Sequence, residues 1–273
     1  IGSGSKWRLT GWKILEYELG RQVLDDGVNF EGSLSYHRFV TEMLFLAVQY
    51  QESITGENSE RFRSYLLLMA SYIDAYTKPD GTAPWVGDSD NGRVLDFGSD
   101  INDHRYLVHV IFQEFGYQKY IAKSILTPEA LWWLGYVPLS DNTSSSVYET
   151  RASEVFASAG SFIMHGHNDY VFIDCGHVGL AGRGGHGHND CLSFVAVLAG
   201  CELVCDTGSY AYTSNYKERQ RRRGTECHNT PMIAQQEINR FIHPENLWFL
   251  NEDAIPRVEQ WFCLLYTSDA ADE

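Results

Sequence analysis

The hydrophobic period of this chain changes once, near its middle, and that change constrains the fold more than any other feature. From Lys6 to about Tyr136, apolar residues recur at three- and four-residue spacing in segments such as KWRLTGWKILEYELGRQVL, SYHRFVTEMLFLAVQYQES and SERFRSYLLLMASYIDAYT. In the second of these, Phe39, Val40, Met43, Leu44, Ala47 and Val48 form one stripe, which predicts antiparallel helix hairpins packed through that face. Beyond residue 150 the apolar runs shorten to SFIMHG, DYVFIDC, LSFVAVLAG, ELVCD and TPMIA, β-branched or aromatic and bounded by Gly and Asn turns. They predict an antiparallel β-sandwich. The polar segment SDNTSSSVYE, 140–149, suits a boundary, giving a helical part over 1–139 and a β part over 140–262.

The longest apolar run, Leu192 to Cys205, is interrupted by Gly200 and Glu202 and falls short of the ~20 residues that cross a bilayer, so no transmembrane segment is expected. A formal net charge of −15 disfavours nucleic acid as a partner. The one dense basic run, KERQRRR at 217–223, is short and lacks interleaved aromatics; as a pattern it reads as a solvated charged loop. The tail CLLYTSDAADE, 263–273, resembles a translated sequencing adapter and is excluded from fold and function. With Ile1 at its start, the chain reads as a fragment truncated at both ends. Outside the tail the cysteines are Cys175, Cys191, Cys201, Cys205 and Cys227, an odd set without a CxxC pair, expected to be small buried hydrophobes.

Reactive side chains concentrate in GGHGHND, 184–190, where His186 and His188 flank one glycine with an acid two residues on. On a strand, alternate residues share a face. Asp206 closes the run ELVCD, and His228 lies in ECHNT; two histidines and one carboxylate with a free position form a zinc set. The same triplet is also a hydrogen-bonded polar turn, and spacing leaves both readings open. In VGDSDNGR, Asp88, Asp90 and Asn91 make an oxygen-rich turn without the later glutamate of a calcium loop, which favours a plain Asx turn. On pattern alone Tyr36 is a core tyrosine of an aromatic-rich helix.

Several motifs in fixed order carry more information than any one of them. HGHNDCLSF, DTGSYAY, ERQRRRGTECHNT and QEINRF in the second half, with DDGVNFEGSLSYHRFVTE at 25–42 in the first, resemble the heparinase II/III-like polysaccharide lyases, the alginate lyase and heparinase II/III superfamily. The likeness runs over roughly 6 to 262. It implies an α+β multidomain protein, an incomplete (α/α) toroid of helix hairpins followed by an antiparallel β-sandwich. It also implies cleavage of an acidic, uronic-acid-containing polysaccharide by β-elimination. That chemistry needs the uronate carboxylate neutralised, a base for the C5 proton and an acid for the departing O4.

Residue by residue, the resemblance places the toroid's catalytic tyrosine on Tyr36 and the facing acid or base on His186. His188, Asp206 and His228 match the ligands of a zinc ion, Zn2+, that is structural and orients His186. Arg219 and Arg223 match arginines suited to clamping substrate carboxylates, and His37 to lining the cleft. Glu31 is expected to hold a neighbour or cap the helix, without a catalytic role. The family implies a periplasmic or secreted bacterial protein acting on a glycosaminoglycan or alginate; the free thiols also suit the cytoplasm. Two departures stand out. No asparagine-histidine motif precedes Tyr36, and Arg221 and Arg222 stand where some lyases carry a tyrosine. They leave open a catalytically silent carbohydrate-binding or surface-polysaccharide assembly protein, and a glycoside hydrolase, as alternatives.

Overall fold

A computed structural model describes residues 3–115, 127–134, 152–243 and 245–261. The expected boundary at 140–149 and the tail at 263–273 lie outside them. The helical part consists of α1 (Ser3–Gln22), α2 (Leu34–Thr55), α3 (Glu60–Tyr76), α4 (Arg105–Glu114) and α5 (Pro128–Leu134). The long segments of three- and four-residue spacing become α1 to α3, and residues 79–93 form the loop that their Gly, Pro and Asp content predicts. No helix among the described residues is long and apolar enough to cross a membrane.

Local chemistry fixes the ends of α2. The Ser33 hydroxyl accepts from the Tyr36 backbone N–H, satisfying one of the donors a helix start leaves unpaired. At the other end Gly56 takes the left-handed conformation (φ 70°) and donates to the Glu52 carbonyl. The buried face of α2 is Leu34, His37, Arg38, Thr41, Glu42, Leu44, Phe45 and Val48, which shares only Leu44 and Val48 with the stripe expected from hydrophobicity. Met43, a member of that stripe, is exposed. The inner face carries polar side chains because they are bonded within the protein: His37 to backbone, and Glu42 to the Val94 and Leu95 N–H groups.

The second half forms one five-stranded antiparallel sheet in sequential order, β1 (Glu154–Phe156), β2 (Ser161–His165), β3 (Tyr170–Asp174), β4 (Phe194–Leu198) and β5 (Cys201–Val204). Four of the five apolar runs become β2 to β5. TPMIA instead supplies an isolated bridge between Ile233 and Gln236, and β1 was not expected. The basic run is the helix α6 (Tyr216–Arg223), capped by the Asn215 side chain, with Arg221, Arg222 and Arg223 in the last turn where the helix dipole favours cations. Of the five cysteines only Cys175 is buried, so the expectation for the others is corrected.

Helices and sheet share one apolar core. Leu66, Met69, Ile73, Leu107, Val110 and Ile111 are fully buried and continuous with Ile163, Tyr170, Phe172, Val195 and Val197 of the sheet. Polar contacts pin the seam: the Tyr72 hydroxyl lies 2.9 Å from the Ser161 hydroxyl, and the Tyr170 hydroxyl donates to the Tyr76 carbonyl at 2.7 Å. This seam brings the start of α2, the loop over 79–93 and the loop that precedes β4 together.

Candidate active site and metal centre

Three backbones meet at closest approach where α2 begins, and glycine makes that possible. A Cβ on Gly87 would fall 2.2 Å from the Gly32 carbonyl oxygen and 2.8 Å from that of His186; one on Gly187 would fall 2.0 Å from the Val178 carbonyl oxygen. Between them the Asp88 N–H donates to the His186 carbonyl at 2.8 Å, and the Ser33 hydroxyl donates to the Asp88 carbonyl at 2.6 Å.

The Asp88 side chain is fully buried and surrounded by donors. Its Oδ1 lies 3.0 Å from His188 Nε2 and its Oδ2 3.2 Å from His186 Nδ1, and Arg219 Nη2 donates to Oδ2. Burial alone opposes ionisation of this carboxyl. The hydrogen bonds from His186 and His188 and the charges of His188 and Arg219 outweigh it, holding the group well below the usual carboxylate range. A carboxylate at Nδ1 places the imidazole proton there and leaves Nε2 of His186 as its basic nitrogen. Glu31 Oε2 stands 3.5 Å from that Nε2.

Tyr36, on the first turn of α2, stacks its ring on His186 with centroids 3.6 Å apart and planes 19° from parallel. The two expected catalytic side chains are therefore in contact, and no pyranose fits between their faces as a groove-spanning arrangement would require. The Tyr36 hydroxyl donates to Asp90 Oδ2 at 2.8 Å and lies 2.7 Å from the Tyr212 hydroxyl, itself 3.1 Å from His186 Nδ1. Burial, then the hydrogen bonds to Tyr212 and Asp90, push the Tyr36 phenol well above its ordinary value. Burial, with the Asp88 charge second, pushes Tyr212 up to about 12. Tyr36 is thus held as a neutral, protonated phenol.

Three expected substrate contacts are corrected. His37 is fully buried, its Nδ1 accepting from the Asn29 N–H and its Nε2 lying 3.1 Å from the Met69 carbonyl, so it braces the turn before α2. Arg223 is fully buried and donates to the Gly184, Gly187 and Leu247 carbonyls and to Gln220, so it shapes the loop that holds His186. Arg219, 1% exposed, clamps a carboxylate of the protein, Asp88, and the Gly185 carbonyl. Asp88 is likewise committed to protein donors and not to calcium. Asp90 does form the expected Asx turn, its Oδ1 accepting from the Gly92 N–H at 2.8 Å.

Beside this network, ligand-type atoms of His188, Asp190 and His228 lie within 4.8 Å of one another, and all three residues are buried. Among the described residues, His188 Nδ1 and His228 Nε2 have no hydrogen-bond partner, while their other ring nitrogens face carboxylates, Asp88 for His188 and Asp206 for His228 at 2.6 Å. Each carboxylate fixes a tautomer whose free lone pair points to the cluster, the usual support for a metal-binding histidine. Two imidazoles and a carboxylate suit zinc. Asp190 joins the two histidines in this cluster, and Asp206, the carboxylate expected there, adjoins it through His228. The signal was present in HGHND, since His188 and Asp190 are alternate residues. Asp88 had been weighed only as a turn residue, Tyr212 sits in DTGSYAY without a role assigned, and Trp248, near His186, carried no signal at all.

The family profile described as Heparinase II/III N-terminus matches residues 2–106, and the one described as Heparinase II/III-like, C-terminal, matches 149–248. No curated protein sequence matches the chain significantly. Among solved structures, one titled a heparinase III gene product with methylated lysines superposes with a TM-score of 0.64 at 18% identity, over 87% of this chain and 34% of its own. The heparan sulfate lyase HepC from Pedobacter heparinus gives 0.59 at 19% identity, over 87% and 34%. A structure titled heparinase III gives 0.59 at 20%, over 85% and 36%. At such identities the likeness is one of fold, and the chain spans about a third of the length of these neighbours.

Replacing Asp88 by Asn leaves Arg219 buried beside a neutral amide, with an expected loss of about 3–5 kcal/mol in urea unfolding. The same change is expected to weaken zinc binding about 10- to 100-fold, since His188 loses its partner. A second prediction concerns pH. Burial lowers the pKa of His37 from 6.5 to about 4, so its contribution to stability is complete above 6.5 and is lost as pH falls toward 4. A His37→Gln variant is expected to show a shallower fall of unfolding free energy across that window; an unchanged slope would rule out His37 as the source.

Proposed function

Since the chain belongs to the heparinase II/III-like family, we propose that the protein carrying it is a polysaccharide lyase that cleaves a uronic-acid-containing chain by β-elimination. One observation carries the mechanism: a neutral phenol and an imidazole whose Nδ1 is held by Asp88 lie in direct contact, with ring centroids 3.6 Å apart. In this reading His186 Nε2 removes the C5 proton, the C4–O4 bond breaks as the C4–C5 double bond forms, and Tyr36 protonates the departing O4. Asp88 and Glu31 stabilise the imidazolium. The Tyr212 hydroxyl joins His186 Nδ1 to Tyr36, so a proton passed from Nδ1 to Tyr212, and from Tyr212 to Tyr36, restores the phenol; once product leaves, His186 gives its Nε2 proton to water and takes one back at Nδ1, beside Asp88.

The same reading makes the helices part of an (α/α) toroid and the sheet one layer of a β-sandwich, divided near 140–149. His188, Asp190 and His228 would hold zinc, which ties the loop before β4 to the segment after α6 and braces His186 through Asp88. The protein would act on an acidic polysaccharide in the periplasm or outside the cell. The alternative of a silent binding protein rested on Arg221 and Arg222 standing in place of a tyrosine. Here Tyr212 supplies a phenol between Tyr36 and His186, which favours the active enzyme.

The complete protein, incubated with heparan sulfate, alginate and hyaluronan, is expected to release an ultraviolet-absorbing unsaturated uronate from at least one. Tyr36→Phe is expected to lower kcat by about 10²–10⁴-fold. New reducing ends without absorbance would instead identify a hydrolase. For the metal, elemental analysis is expected to find about one zinc per chain, and a chelator is expected to lower the melting temperature reversibly. Metal-free protein whose melting is indifferent to the chelator would remove zinc from the account.

A further inference from the structure

Trp248 is a large aromatic that the fold holds in place yet leaves 45% exposed. Its ring lies 5.7 Å from His186 and 5.2 Å from Tyr212, at 66° and 67°, and the Arg219 guanidinium sits over it at 5.0 Å. Its backbone is fixed as well: the Trp248 N–H donates to Asn246 Oδ1, Arg223 donates to the Leu247 carbonyl, and the Leu250 N–H donates to the Arg183 carbonyl. An indole braced by a cation and two ring contacts is pre-organised, so little conformational freedom is lost when a ligand covers it.

We infer that Trp248 is a sugar-stacking platform, the floor of a subsite that holds a pyranose ring adjoining the bond presented to Tyr36 and His186. The inference rests on the lyase reading for the identity of that bond, and not for the stacking itself. A pyranose presents patches of axial C–H groups on its ring faces, and such a patch matches the electron-rich face of an indole, as apolar edges match aromatic faces elsewhere. The ring contacts with His186 and Tyr212 fix the distance between a sugar seated there and the reacting pair. Arg219 takes part by lying over the indole, which helps to hold the ring still while its Nη2 remains on Asp88.

Hexasaccharides of heparosan, hyaluronan and alginate, titrated calorimetrically into the complete protein carrying Tyr36→Phe, measure binding without turnover. Adding Trp248→Ala is expected to weaken the best of these about tenfold, and Trp248→Phe to recover most of the loss. In the protein with Tyr36 intact, Trp248→Ala is expected to raise KM more than it lowers kcat. Melting temperatures of the variants confirm that the fold is kept. Equal binding by Trp248→Ala and its parent overturns the inference, as does a loss confined to kcat or the absence of binding by all three sugars. If no unsaturated uronate forms yet Trp248→Ala still loses affinity, the lyase reading fails and the platform stands.

Discussion

A single buried carboxylate, that of Asp88, holds the site together. It is taken out of water and would be costly to ionise, yet it meets two histidines and an arginine from two other pieces of chain. His186 and His188 come from the loop before β4, Arg219 from α6, and Asp88 itself from the loop after α3. Without a full negative charge at that point, Arg219 would be a buried cation lacking its partner and both imidazoles would be free to choose their tautomers. The energetic demand of Arg219 and the chemical poise of His186 are thus met by the same two oxygen atoms.

The candidate metal cluster and the stacked Tyr36–His186 pair are consequently neighbours in a physical sense. His188 places Nε2 on Asp88 while its Nδ1 belongs to the His188, Asp190 and His228 cluster, and His186 shares the opposite oxygen of the same carboxylate. A cation held there would polarise His188, and through it Asp88. The division is made by a loop rather than by strand alternation, and the glycine at 187 lets that loop pass against the Val178 carbonyl.

Much of the fold was legible because hydrophobic period reports burial faithfully wherever burial is apolar. The three long helices, four of the five strands and the loop over 79–93 follow from it. It failed where burial is polar. The inner face of α2 carries His37, Arg38, Thr41 and Glu42, so the apolar stripe pointed elsewhere and Met43 was assigned to the core it does not enter. The same blind spot hid Asp88, whose importance comes from partners 98 to 131 residues away in the chain. Arg219 and Arg223 were visible as charges, and their neutralisation by carboxylate and carbonyl groups was not. Tyr36, His186, His188 and His228 were named from ordered motifs; that Tyr36 and His186 stack, and that Asp190 joins the two histidines in the cluster, are matters of geometry no spacing reveals.

Ser33 does two jobs with one hydroxyl, accepting from the Tyr36 N–H while donating to the Asp88 carbonyl. The turn that aims the phenol and the loop that aims the supporting acid are thereby fastened to a common pivot. Both belong to the helical half, and the bond from the Asp88 N–H to the His186 carbonyl ties that common pivot to the loop before β4.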